Sequence, residues 1–170
     1  MKKLAYLIIV FVLLISNRSQ AQSEYKSAIG GRVGIPIAGS IKHFISQAGA
    51  LEGYAGFTGR GPAKYDRYYS GVNIIIGGMY QHHFPIGNIA GFQWYVGGGA
   101  LVQFYNLDDN PNDYSSTGFG LNGVGGVDYK FKGIPLNVSA DWMPVFFLNK
   151  TYYSNFGAGY GGLAARYTFR

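Results

Sequence analysis

The chain has 170 residues, 14 of them Lys or Arg and 8 Asp or Glu, and it contains no cysteine. That length favours one domain. The missing cysteine excludes a disulfide scaffold, a Cys-ligated zinc site, a thiol nucleophile and a lipid-modified N-terminal cysteine, and aromatics at 17% exclude a disordered chain.

The first element is an export signal over residues 1–21. Lys2 and Lys3 precede an uncharged apolar run from Leu4 to Ile15, and a polar stretch follows with small residues at Ser19 and Ala21. A basic start, a short apolar middle and a small-x-small exit read as a secretory signal peptide. Twelve helical residues span only about 18 Å, against roughly 30 Å of hydrocarbon, so the run is too short for a membrane anchor. Cleavage after Ala21 leaves 11 basic and 8 acidic residues over 149 positions, a charge of +3. Such a weak surplus gives no case for a nucleic-acid partner.

Residues 22–170 then alternate with period two, the signature of strands with unlike faces. Eight segments are predicted, at about 25–36, 39–46, 50–59, 69–83, 91–105, 117–131, 135–147 and 155–169. In the fifth, Phe92, Trp94, Val96, Gly98, Ala100, Val102 and Phe104 share one face. The other face mixes amides, phenols and glycines. Ser46–Gly49, Pro85–Ala90 and Lys132–Ile134 are short turns, whereas Arg60–Tyr68, Asn106–Ser116 and Leu148–Ser154 are longer and polar. Ile37–Ala38 is a short connection on the long-loop side. The fold class expected is all-β: an eight-stranded antiparallel up-and-down barrel of the outer-membrane type, with both termini at the short-turn end.

Charge placement sets the expected orientation. Arg32, Glu52, Asp128, Asp141 and Arg166 fall on the parity opposite the large apolar residues. Lys42 joins them, although its strand is ambiguous because His43 and Phe44 compete to set the apolar face. The apolar parity ends in aromatics at Tyr80, Phe92, Trp94, Tyr129, Phe131, Tyr167 and Phe169, which match the girdles found at lipid headgroups. Eight strands leave a lumen just wide enough for side chains, so the six charges are expected to form an ionic plug inside it. The competing reading is a soluble lipocalin-like barrel with its apolar face inward.

Motif-like strings carry little chemistry. Gly118–Gly123 spells G-x-G-x-x-G, but it continues as a strand where a nucleotide site needs a helix. Asp108, Asn110 and Asn112 imitate a calcium loop, yet Asp113 replaces its turn glycine and Phe119 its bidentate Glu. His82 and His83 are neighbours on a strand, face opposite ways and cannot share a metal. With His43 they map to the short-turn end, at headgroup level. No metal or other cofactor is expected. Arg60, Lys64 and Arg67 stand among tyrosines in one long loop and Lys150 in another, a combination suited to lipopolysaccharide phosphates.

His83–Asn88 leading into Trp94–Ala100, Tyr129–Lys132 with Ile134–Asn137, Asp141–Trp142 and the closing Arg166–Phe169 resemble a recurrent pattern in small outer-membrane barrels. The resemblance covers residues 25–170 and is to eight-stranded barrels of Gram-negative cell envelopes, akin in build to OmpX and the OmpA transmembrane domain. It implies export and insertion by the barrel-assembly machinery, which reads a terminal aromatic; Phe169 supplies one, but Arg170 follows it. The resemblance carries no catalytic residues. The expected role is that of a non-catalytic, monomeric envelope scaffold or surface-interaction protein in the outer membrane, in contact with its lipid and lipopolysaccharide. The rivals are a soluble periplasmic carrier of a small apolar ligand and a lipid-modifying barrel enzyme.

Overall fold

A computed structural model describes residues 25–58, 72–105, 117–149 and 155–169. The structure is all-β over those residues. Its strands are β1 (Ser27–Ile35), β2 (Ile37–Phe44), β3 (Gly49–Thr58), β4 (Asn73–Pro85), β5 (Phe92–Phe104), β6 (Thr117–Lys130), β7 (Leu136–Trp142), β8 (Val145–Phe147), β9 (Phe156–Gly157) and β10 (Gly161–Phe169). Each of β1 to β6 pairs antiparallel with the next. β6 then pairs with β7, β7 with β10, and β10 closes onto β1. The result is a closed, eight-staved, antiparallel barrel with no free edge around its waist.

Two of the eight predicted segments are divided, which is why ten strands make eight staves. Inward residues continue at every second position from Asn137 through Asp141 to Val145 and Phe147, so alternation alone reads one strand. Pro144 has no N–H to give the ladder, and the chain steps off there. β7 stays between β6 and β10, while β8 pairs with β6 and carries the two-residue β9 on its other side. Met143 N–H donates to Tyr160 O at 3.0 Å and ties this break to the matching one between β9 and β10. At the second break Gly161 sits at φ +122°, a conformation that favours glycine. The expected Ile37–Ala38 connection is also displaced. Both residues are assigned to β2, and the β1–β2 pairing ends at Arg32 opposite Ala38, so the chain reverses over residues 33–37 around Pro36.

The wall is uneven. β4, β5 and β6 run 13, 13 and 14 residues, whereas β1, β2, β7 and β10 run 9, 8, 7 and 9. One rim is formed by the short turns and the other by the longer connections, and the difference in height falls at the second.

Glycine is demanded where neighbouring staves come closest. A Cβ on inward-facing Gly97 would lie 1.8 Å from Tyr80 O, and on Gly99 2.0 Å from Gly78 O. Outward-facing Gly39 has nothing within 4 Å of that position. Overpacking costs about 1–3 kcal/mol where neighbours can shift, and here the obstacle is backbone. Gly97→Ala should therefore lower the unfolding midpoint in detergent by at least that equivalent, or prevent folding, while Gly39→Ala should leave it unchanged within about 0.5 kcal/mol.

Candidate functional site

Strand alternation sends one parity of every stave into the lumen. The inward set includes Arg32 on β1, Ser40 and Lys42 on β2, Glu52 on β3, Gln81 and His83 on β4, and Tyr95 on β5. Asp128 on β6, Asn137, Ser139 and Asp141 on β7, and Arg166 on β10 also belong to it. The lumen is filled with side chains, as eight staves require.

Glu52 is the hub. Its Oε1 accepts from Arg32 Nη1 at 2.8 Å and from Arg166 Nη2, and its Oε2 accepts from Gln81 Nε2 at 2.8 Å. Arg166 also donates from Nε to Ser40 Oγ and from Nη1 to Ser139 Oγ, both at 2.8 Å. The second nitrogen of Arg32 reaches Asp141 Oδ1 at 2.6 Å, and the remaining oxygen of Asp141 accepts from Tyr95 O–H at 2.8 Å. A second group forms around Asp128, which accepts from Lys42 Nζ at 2.7 Å and from Asn137 Nδ2 at 2.5 Å. The Lys42 ammonium also sits 4.8 Å from the centre of the Tyr95 ring, a cation–π contact that links the two groups.

Three cations and three carboxylates thus neutralise one another, and every charged side chain in the ion pairs is at most 3% exposed. Buried charge is tolerated only when it is paired and its remaining hydrogen-bonding positions are filled. Ser40, Ser139, Gln81, Asn137 and Tyr95 fill them.

The layer toward the long-connection rim mixes apolar side chains with buried Thr58, Asn73, Gln103 and Asn122. Ile75, Leu101, Met143, Val145 and Phe147 pack there with Tyr160, and Tyr160 O–H donates to Gln103 Oε1 at 2.7 Å. Toward the short-turn rim the plug becomes aromatic. Tyr25 meets Phe44 edge to face at 5.1 Å, Phe44 meets His83 at 4.9 Å, and His83 stacks on Tyr95 at 4.9 Å. Tyr25 precedes β1, and its phenol is pushed well above the usual range, first by burial and next by the Asp128 carboxylate.

All six residues read from the sequence as a lumen network lie in the lumen, and they divide into an Arg166–Glu52–Arg32–Asp141 chain and a Lys42–Asp128 pair. The seven aromatics read as a girdle are on the outer wall, gathered toward the short-turn end. Tyr129 packs on Phe131 at 4.7 Å and on Phe92 at 6.0 Å, and Trp94 stacks on Phe84 at 4.4 Å. His83 departs from its expected place at headgroup level: it is 1% exposed inside the barrel, whereas His43 and His82 face outward. Gly118–Gly123 is continuous strand within β6. The basic loop residues Arg60, Lys64, Arg67 and Lys150, and the Asp108–Asp113 string, lie outside the described residues.

A second set of outward aromatics was not read from the sequence as a girdle. Phe57, Phe104, Phe119, Trp142, Phe146 and Phe156 are about half exposed toward the long-connection rim. Their signal was present, since Phe57, Phe104 and Phe119 sit at the strand ends that lead into or out of the longer connections. Trp142 is held by a 2.7 Å hydrogen bond from Nε1 to Ala158 O, across the break between β9 and β10.

No protein-family model matches the chain, and neither a curated protein nor a solved structure shows detectable similarity to it.

Proposed function

We propose that this chain is an integral outer-membrane β-barrel with a closed, side-chain-filled lumen, acting as a non-catalytic envelope scaffold or surface-interaction protein. One observation carries the reading. The barrel is inverted relative to a water-soluble one: Ile29, Ile41, Ile76, Leu121 and Leu163 are half exposed or more on the outer wall, while Arg32, Glu52 and Arg166 are buried within. An outer wall of that kind is stable against hydrocarbon and costly against water, because contiguous exposed apolar patches on soluble monomers rarely exceed a few hundred Å². Aromatics toward both rims support the same reading, since such rings favour the headgroup level. So do the even number of staves and the contrast between short turns and longer connections. A closed eight-stranded barrel is compatible with the resemblance stated above. A carrier of a small apolar ligand needs an apolar chamber on the axis, and ion pairs occupy that position here.

The test is fractionation followed by gel mobility. The protein should stay with the outer membrane after osmotic shock, need detergent for release, and migrate differently before and after boiling. Release by osmotic shock without detergent would overturn the membrane reading in favour of the soluble carrier. A change in lipid A or phospholipid composition on overproduction would overturn the non-catalytic part alone.

A further inference from the structure

The short-turn rim holds a polar cup of about 230 Å³. Lys130, Gly133, Ile134 and Pro135 line it from the β6–β7 turn, Thr168 from β10, and Tyr25 from the residues leading into β1. Its acceptors are already taken. Lys130 Nζ donates to Phe131 O at 2.6 Å and to Ile134 O at 2.8 Å, and Thr168 N–H donates to Pro135 O at 2.9 Å.

Its donors are not. An ammonium carries three protons, so Lys130 keeps one to give. Tyr25 is 5% exposed, and its hydroxyl has no hydrogen-bond partner among the described residues. A buried polar group of that kind calls for water or a ligand. Thr168 adds a second hydroxyl. Gly133 takes φ +79°, and neither its N–H nor that of Ile134 is used by another backbone group among the described residues. Turn amides left free in this way form anion-binding concavities.

Charge around the cup has one sign. Lys132 belongs to the same turn, Lys26 follows Tyr25, and both are exposed. The carboxylates among the described residues, Glu52, Asp128 and Asp141, are committed to the lumen ion pairs. Asp128, whose field reaches Tyr25, is held by Lys42 and Asn137. Donors that converge from three elements suit the several oxygens of a phosphate group better than the planar pair of a carboxylate.

We infer that this cup binds a phosphate group, held by Lys130, Tyr25 and Thr168 together with amides of the β6–β7 turn. The site belongs to the barrel whatever surrounds its outer wall, so it stands apart from the membrane reading. Its phosphate comes either from a soluble anion or from a lipid headgroup at the same rim.

The test follows the Gly133 amide by ¹⁵N-glycine NMR in the full-length mature protein, folded in an alkyl maltoside, which carries no phosphate. Inorganic phosphate at constant ionic strength should move that resonance saturably. Chloride should not, and acetate should bind more weakly. Tyr25→Phe and Thr168→Val should each weaken phosphate about ten-fold, the usual effect of losing one hydrogen bond to a charged group, and Lys130→Gln should weaken it further. Unchanged glycine resonances elsewhere verify that each variant is folded. Without phosphate, Tyr25→Phe should leave the denaturant midpoint unchanged or raise it, because the hydroxyl has no partner to lose; a fall would overturn its role as a donor to the cup.

A second spectrum, in nanodiscs containing phosphatidylglycerol and without free phosphate, separates the two sources. A Gly133 resonance already at its bound position and unmoved by added phosphate assigns a lipid headgroup, and one that still titrates assigns a soluble phosphate. Either upholds the site. A drift that is linear and equal for phosphate and chloride overturns it, as does acetate binding as tight as phosphate, or undiminished phosphate binding in any of the three variants. None of these results touches the membrane reading.

Discussion

Glu52→Ala is expected to be the most destabilising single substitution in the lumen, at about 3–5 kcal/mol. The carboxylate is shared by Arg32 and Arg166 and takes a third hydrogen bond from Gln81. Removing it leaves two guanidinium groups facing each other in a site about 1% exposed, with only Asp141 left to offset them. Glu52→Gln keeps the volume but loses the charge, and should fall between the two. The measurement is the denaturant midpoint of the folded gel band in detergent, unboiled against boiled. A midpoint shift below about 1 kcal/mol for Glu52→Ala would mean that water reaches the two arginines and that the lumen is not sealed. The same seal predicts that the unmutated protein forms no nanosiemens-scale channel in planar bilayers, and that Arg166→Ala weakens the fold without creating one.

Loss of a partner and net worth of the network are different quantities. A buried ion pair often contributes no more than an apolar replacement of equal volume. What the Arg166–Glu52–Arg32–Asp141 chain contributes here is correspondence between distant strands. Arg166 on β10 meets Glu52 on β3, and Arg32 on β1 meets Asp141 on β7, across sequence separations of 114 and 109 residues. A one-residue slip in any of these ladders turns its charge outward, so the network penalises wrong registers more than it rewards the right one.

Leu121→Arg is the second substitution with a large expected effect, and its sign depends on what surrounds the barrel. Leu121 lies inside β6, faces outward and is 52% exposed. In a bilayer an arginine on the lipid-facing wall costs about 2–4 kcal/mol near the midplane. In water the same change should fall within about 0.5 kcal/mol, or improve solubility. Comparing the midpoint of this variant in phospholipid vesicles with that of Gly39→Ala separates the two environments. A neutral result in vesicles would count directly against hydrocarbon at this face.

Much of the barrel was legible because period two is a rigid constraint. Once Ile29 and Val33 are assigned to one side of β1, Arg32 has only the other, and the same holds for Glu52, Asp128 and Arg166. Lys42 was ambiguous for a local reason: β2 begins at Ile37, and its inward residues Ala38 and Ser40 are too small to announce a face beside His43 and Phe44. Which charge meets which could not be read, because partners across a lumen depend on strand tilt and stagger, which alternation does not encode. Alternation already put Tyr95, Asn137 and Ser139 on the polar face, but their roles, like those of Ser40 and Gln81, stayed hidden for a related reason. They carry no charge, and their value lies in the lone pairs and protons they satisfy once the staves are closed. The break at Pro144 was hidden because Met143, Val145 and Phe147 keep the parity of Asn137, Ser139 and Asp141 through it.

The uneven wall has a consequence for how the barrel stands in a sheet of lipid. At about 3.3 Å per residue and a tilt of about 40°, the nine residues of β1 rise roughly 23 Å and the fourteen of β6 roughly 35 Å. In the membrane proposed above, an apolar band about 25 Å tall would just cover the low side, with the turn around Pro36 at the level of the far headgroups. The high side would stand clear by about 10 Å. A cylinder cut on such a slant either leans toward its low side or draws the nearby leaflet thinner, so acyl chains beside β1 and β2 should be shorter or more disordered than those beside β5.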